Sequence, residues 1–170
     1  MKMEKIISQA YKDVGRNKSC ILCIEELAEL QDAVASMLIG DRKPGHLCEE
    51  IADVGIHLEY VKKALKISDK QVKEVSNSDN AFFELYISEL DQEDLYLTAI
   101  REMALLQIVL TKYIRGKSKP KKHAIDKIAK VERYIKEIMR REDIQKKYVS
   151  DWSCKKKKRL KHRTKKHKVF

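Results

Sequence analysis

Residues 25–29 read EELAE and residues 49–53 read EEIAD. Glu26 and Glu29 are three apart, and so are Glu50 and Asp53. At that spacing two side chains are neighbours on one face of an α-helix. If the two stretches lie on antiparallel helices, four carboxylates converge. Ionised carboxylates facing one another repel, and each raises its neighbour's pKa. A divalent cation relieves that repulsion, and oxygen-only ligands favour Mg²⁺, Mn²⁺ or Ca²⁺ over zinc or copper. Mg²⁺ keeps several waters and readily bridges phosphates, so the pattern predicts a phosphate-bearing ligand. The alternative is a solvated acidic helix face.

The elements that must position these acids are helical. The chain has 5 Gly and 2 Pro in 170 residues, too few for an all-β fold rich in tight turns. With 43% hydrophobic residues it can build a core. Ile24, Leu27, Leu30, Val34 and Leu38 recur at helical spacing up to Gly40. After the turn GDRKPG, the residues Leu47, Ile51, Val54, Leu58, Val61 and Leu65 do the same. The pattern predicts a first helix over 2–13, a second beginning after Ser19 as N-cap, and a third from about His46. Ser68-x-x-Gln71 reads as a capping box opening a short fourth helix. SNSDN at 76–80 reads as a break, followed by a helical stretch that resumes around Ala81 and is interrupted near Asp91, a helix over about 92–115 and another over 121–148.

The chain repeats itself. Ile24–Pro44 aligns on Ile100–Pro120 at an offset of 76, pairing Glu26 with Glu102, Gln31 with Gln107 and Gly40 with Gly116. One extra residue then shifts the offset to 77 and pairs Val54 with Val131. The expected fold is all-α, a bundle of two tandem helical hairpins related by a pseudo-twofold axis, an intramolecular pseudo-dimer that can oligomerise further. The expected units are an acidic hairpin unit over 1–75, a connector over 76–91, a second hairpin over 92–148 and a basic, disordered tail over 149–170. The repeat keeps the apolar positions and loses the acids: Glu25 becomes Arg101, Glu29 becomes Leu105, Glu50 becomes Lys127 and Asp53 becomes Lys130. Packing therefore does not require the carboxylates of the first hairpin. Lys127 and Lys130 are expected to point into solvent, with substrate phosphates as the other choice.

EELAELQDAV before the turn and EEIADVGIHLEYVKKAL after it resemble the EExxE…ExxD pattern of the MazG-like all-α nucleoside triphosphate pyrophosphohydrolases. That superfamily includes the dimeric dUTPases. The resemblance covers about residues 5–75, with 92–140 as a degenerate second copy. It implies that Glu26, Glu29, Glu50 and Asp53 hold Mg²⁺. It implies that Glu25 binds a second cation or orients the attacking water, with Glu26 completing the catalytic pair. The implied reaction is hydrolysis of an NTP or dNTP to the monophosphate and pyrophosphate by water attack at the α-phosphorus. Candidate substrate contacts are His57, Arg42, Lys43 and Lys73, with Lys62, Lys63, Lys70, Asn77 and Asn80 as weaker ones. All five acids of the pattern are present, which argues against a homologue that has lost catalysis.

Charge and cysteines bound the alternatives. The net charge is +11, but residues 155–168 hold ten Lys/Arg and no acid, which leaves +1 for the rest. Such a block neutralises nucleic-acid phosphates without base readout, so the second reading is a non-catalytic helical protein that binds nucleic acid through its tail. Cys20 and Cys23 form a C-x-x-C that His46, Cys48 or His57 could complete as a zinc site. Their place among Ile21, Leu22 and Ile24 fits buried core thiols better. No apolar run approaches the ~20 residues that span a bilayer. The amphipathic N-terminus lacks the apolar stretch of a signal peptide, so a cytoplasmic address without a membrane partner is expected.

Overall fold

Helix boundaries follow from local backbone chemistry. The computed structural model describes residues 3–78, 80–117 and 121–166, which contain eight helices and no strand. They are α1 (Met3–Val14), α2 (Arg16–Leu38), α3 (Pro44–Leu65), α4 (Asp69–Ser78), α5 (Asn80–Glu89), α6 (Gln92–Ile114), α7 (Lys121–Arg141) and α8 (Lys146–Lys166). Gly40 and Gly116 turn the chain after α2 and α6 at φ 84 and 66, a region that favours glycine. Pro44 opens α3, where its missing N–H costs no helical hydrogen bond. The capping box forms: Gln71 Oε1 accepts from Ser68 N at 3.0 Å, and Ser68 Oγ from Gln71 N at 3.3 Å. Asp91 caps α6 by accepting from Asp94 N at 2.8 Å.

Four expectations differ from the structure. Helix α2 starts at Arg16, and Ser19 lies inside it, its Oγ donating to the Gly15 carbonyl at 2.7 Å instead of capping. The single helix expected over 121–148 is two helices, parted where Asp143 adopts φ 49. The tail expected to be disordered from 149 is helical through Lys166. Its first turns are anchored by Val149 and Trp152, which pack against the core, and Lys155 Nζ lies 4.5 Å above the Trp152 ring. The basic run therefore extends a helix that already has an apolar foothold. Where a break was expected at 76–80, residues 76–78 belong to α4 and Asn80 opens α5, with Asp79 outside the described residues; the connector expected over 76–91 is mostly α5.

Helix α2 lies at the centre, packed on α3 and α6, and α6 packs on α7. Its buried residues Cys20, Cys23, Leu27, Leu30, Val34 and Met37 fall at alternating steps of three and four, a continuous seam. Val54, Leu58, Leu106, Leu110 and Ile128 meet it in the same core cluster. Gln31 Nε2 donates to the Ile100 carbonyl and Gln107 Nε2 to the Ile24 carbonyl, each at 2.9 Å. The two bonds map onto each other at the offset of 76, Gln31 onto Gln107 and Ile24 onto Ile100. The outer helices follow the same rule. Helix α4, which follows α3, packs on α7, and α8, which follows α7, packs on α3. That exchange brings the basic helix over the acidic arm. Among the described residues no helix is long and apolar enough to cross a membrane.

Candidate metal centre

Antiparallel packing of α2 on α3 brings the acids together. Carboxylate oxygens of Glu26, Glu29 and Glu50 lie within 4.8 Å of one another. Oxygens sharing one Mg²⁺ at about 2.1 Å are themselves roughly 3–4 Å apart, so rotamer adjustment closes the remaining gap. Glu50 is 6% exposed; its Oε1 lies 3.3 Å from His46 Nδ1, and its buried Oε2 has no hydrogen-bond partner. An orphaned buried carboxylate oxygen is costly and is the feature that a cation satisfies. Glu29 is exposed and borders an open cavity of about 390 Å³ with Ala28, Asp32, His46 and Glu50. The cavity gives a ligand access to the cluster from the start of α3.

The electrostatics match a cluster of crowded like charges. Burial first, then the Asp53 and Glu29 charges, push the Glu26 carboxyl up to about 7. Burial, then Glu29, push Glu50 up to about 7. His57, one turn beyond Asp53, lies with Nδ1 3.1 Å from the Asp53 backbone carbonyl and 3.5 Å from Glu26 Oε1. Burial lowers its pKa, which favours the neutral ring. A neutral imidazole donating Nδ1–H to the carbonyl leaves Nε2 as an acceptor.

Asp53 is 3% exposed, and its Oδ2 contacts Lys156 Nζ from α8, a residue the sequence reading did not single out. The same ammonium is 3.5 Å from Glu49 Oε1. Glu25 is exposed on α2 and stands outside the converging trio. The expected cationic partners are engaged elsewhere. Arg42 Nη2 bonds Glu142 Oε2 at 2.6 Å, a carboxylate that also takes Gln92 and the Tyr96 hydroxyl. Lys43 pairs with Asp41 at 2.6 Å, and Lys73 is exposed on α4. Lys62 is caged by Glu59, Asp69 and Glu132 at 3.0, 3.0 and 2.9 Å and ties α3 to α4 and α7. Arg42 and Lys62 therefore hold the scaffold.

The matching place in the second hairpin holds an ion pair. Lys127 Nζ, the counterpart of Glu50, bonds Glu102 Oε2, the counterpart of Glu26, at 2.9 Å. Glu102 is 7% exposed. Lys127 is thus partly buried in an ion pair where free solvent exposure was expected, and the half-buried Lys130 pairs with Asp126 at 3.3 Å. Among the described residues no Cys/His group converges on a metal position. Cys20, Cys23 and Cys48 are core residues, and burial pushes the Cys20 thiol up to about 11.

The oxygen-only donor set and the orphaned Glu50 Oε2 fit a hard divalent cation better than zinc. Searches of protein-family models, of curated proteins and of solved structures find no match to this chain.

Proposed function

We propose that the chain is a Mg²⁺-dependent nucleoside triphosphate pyrophosphohydrolase, cleaving an NTP or dNTP to the monophosphate and pyrophosphate. The observation that carries the reading is Glu50 Oε2, buried and unpartnered beside Glu26 and Glu29. Glu26, Glu29, Glu50 and Asp53 would hold Mg²⁺, with Mn²⁺ as substitute. The bound cation supplies charge neutralisation and a fixed place for the phosphates, the main requirements of such displacements. Glu50, fixed by α3 and by His46, is already in place and needs little reordering. Glu26, half-buried beside Glu29 and Glu50, is placed to take a proton from water held at the cluster. Glu25, one residue earlier and exposed, lies outside the trio and would act as a second base only on water reaching the cluster from solvent. His57 offers a neutral ring to the substrate.

The pseudo-dimer belongs to this reading. The reciprocal Gln31 and Gln107 bonds support two hairpins of common pattern, one acidic and one in which Lys127 stands among the counterpart positions. One cation site per chain follows, at an address expected to be cytoplasmic. A second activity is compatible: Lys155, Lys158 and Arg159 are exposed on α8 and supply the charge for salt-sensitive, sequence-independent nucleic-acid binding.

The test is a panel of NTPs and dNTPs with Mg²⁺, products resolved by chromatography. Monophosphate and pyrophosphate in equal amounts, abolished by chelator, are the expected result. Orthophosphate release, or no turnover of any member, would reject the assignment.

A further inference from the structure

We infer that α8 is a strap across the acidic centre and that Lys156 competes with the divalent cation for Asp53. The inference rests on the proposed reading of the acids as a cation site. Its first support is contact geometry. Lys156 Nζ touches Asp53 Oδ2 and lies 3.5 Å from Glu49 Oε1, and Asp53 is 3% exposed. The ammonium thus reaches into the cluster from outside the hairpin that built it.

Its second support is the placement of α8. The helix packs on α3 and α1, anchored through Val149 and Trp152, so Lys156 is presented by a fixed element. The lysine itself is less confined: its side chain is 30% exposed, and four rotatable carbons let the head group leave without α8 unfolding. Its third support comes from the second hairpin, where Lys127 on Glu102 shows that this scaffold accepts an ammonium as counter-ion to an inward carboxylate. There the lysine belongs to the hairpin; at the acidic centre it arrives on a strap.

Ammonium and divalent cation compete for the charge of Asp53. Lys156 holds Oδ2 and leaves only Oδ1 to a metal, and two cations a few ångströms apart repel. Cation entry is therefore weakened while Lys156 stays and is favoured when its head group swings toward Glu49 or solvent. Removing the ammonium leaves Asp53 with no other ion-pair partner among the described residues and raises its demand for a cation.

The test is Mn²⁺ titration at pH 7.5 without nucleotide, free Mn²⁺ read by electron paramagnetic resonance. Wild type is compared with Lys156→Met, which keeps most of the stem, and Lys156→Arg, which keeps the charge. Lys156→Gln replaces the Met variant if circular dichroism shows that variant unfolded. A nearby opposite charge moves a carboxylate's proton affinity about tenfold or more, so Lys156→Met should bind Mn²⁺ roughly tenfold tighter than wild type, with Lys156→Arg unchanged. Equal or weaker binding by Lys156→Met, with wild type binding, overturns the strap and leaves the cation site standing. Binding by none of the proteins overturns both.

Discussion

Replacing Glu50 with Gln keeps the side-chain volume and removes one charge from the crowded cluster. Glu50 is 6% exposed, and its carboxyl is raised from 4.5 to about 7, by burial first and by Glu29 second. At roughly 1.4 kcal/mol per tenfold change, the ionised form is disfavoured in the fold by about 3 kcal/mol. Two effects subtract. The amide weakens the contact at 3.3 Å to His46, and its N–H groups need acceptors. The expected net gain with chelator present is about 1–2 kcal/mol at pH 8. For a chain of this size that raises Tm by about 2–8 °C. The gain should shrink at pH 5, where the wild-type carboxyl is already protonated in the fold. Cation affinity should fall by about tenfold or more, since a charged ligand is lost. Thermal melts of both proteins at the two pH values, with chelator and with Mg²⁺, test all of this. A loss of stability of equal size at both pH values would refute the reasoning, because it would make Glu50 a structural hydrogen-bond acceptor. No change in any condition would mean a solvated face.

Other expectations follow from the same geometry. Lys127→Met leaves Glu102 buried without its ammonium and should cost about 3–5 kcal/mol in urea denaturation, largely recovered by adding Glu102→Leu. Gln31→Ala and Gln107→Ala should each cost about 0.5–1.5 kcal/mol, and by closely similar amounts, since the two bonds are related by the repeat; a cost confined to one would break the twofold argument. Glu26 and Glu50 both have folded-state pKa values raised from 4.5 to about 7, so the fold holds protons that the unfolded chain has released. With chelator, stability should therefore fall as pH rises from about 4.5 through about 7 and level off above it, and saturating Mg²⁺ should reverse the loss; melts showing a rise over that window would contradict the burial of these acids.

The sequence carried the parts of this molecule that depend on neighbours in the chain. Glycine at 40 and 116, the Ser68–Gln71 box and the three-and-four spacing of Leu27, Leu30 and Val34 each have a local cause, and each element formed. The convergence of Glu26, Glu29 and Glu50 was legible because one hairpin holds all three. What escaped was long-range pairing. Arg42 and Glu142 are a hundred residues apart, and so nearly are Asp53 and Lys156; no periodicity announces either. Lys127 read as a surface lysine because its partner Glu102 sits on another helix. The basic run read as disordered because its composition cannot build a core, whereas Val149 and Trp152 just before it supply the anchor. Periodicity reports which face of a helix is buried, and says nothing of which lysine is presented to it.

The most direct test of the central claim is hydrolysis in ¹⁸O-water with Mg²⁺, using the nucleotide that the panel identifies, followed by mass spectrometry of both products. Water attack at the α-phosphorus puts one ¹⁸O into the monophosphate and none into the pyrophosphate, and Glu29→Gln should abolish the labelled product while keeping its helical circular dichroism. Label in pyrophosphate or orthophosphate, or full turnover by Glu29→Gln, would contradict the account.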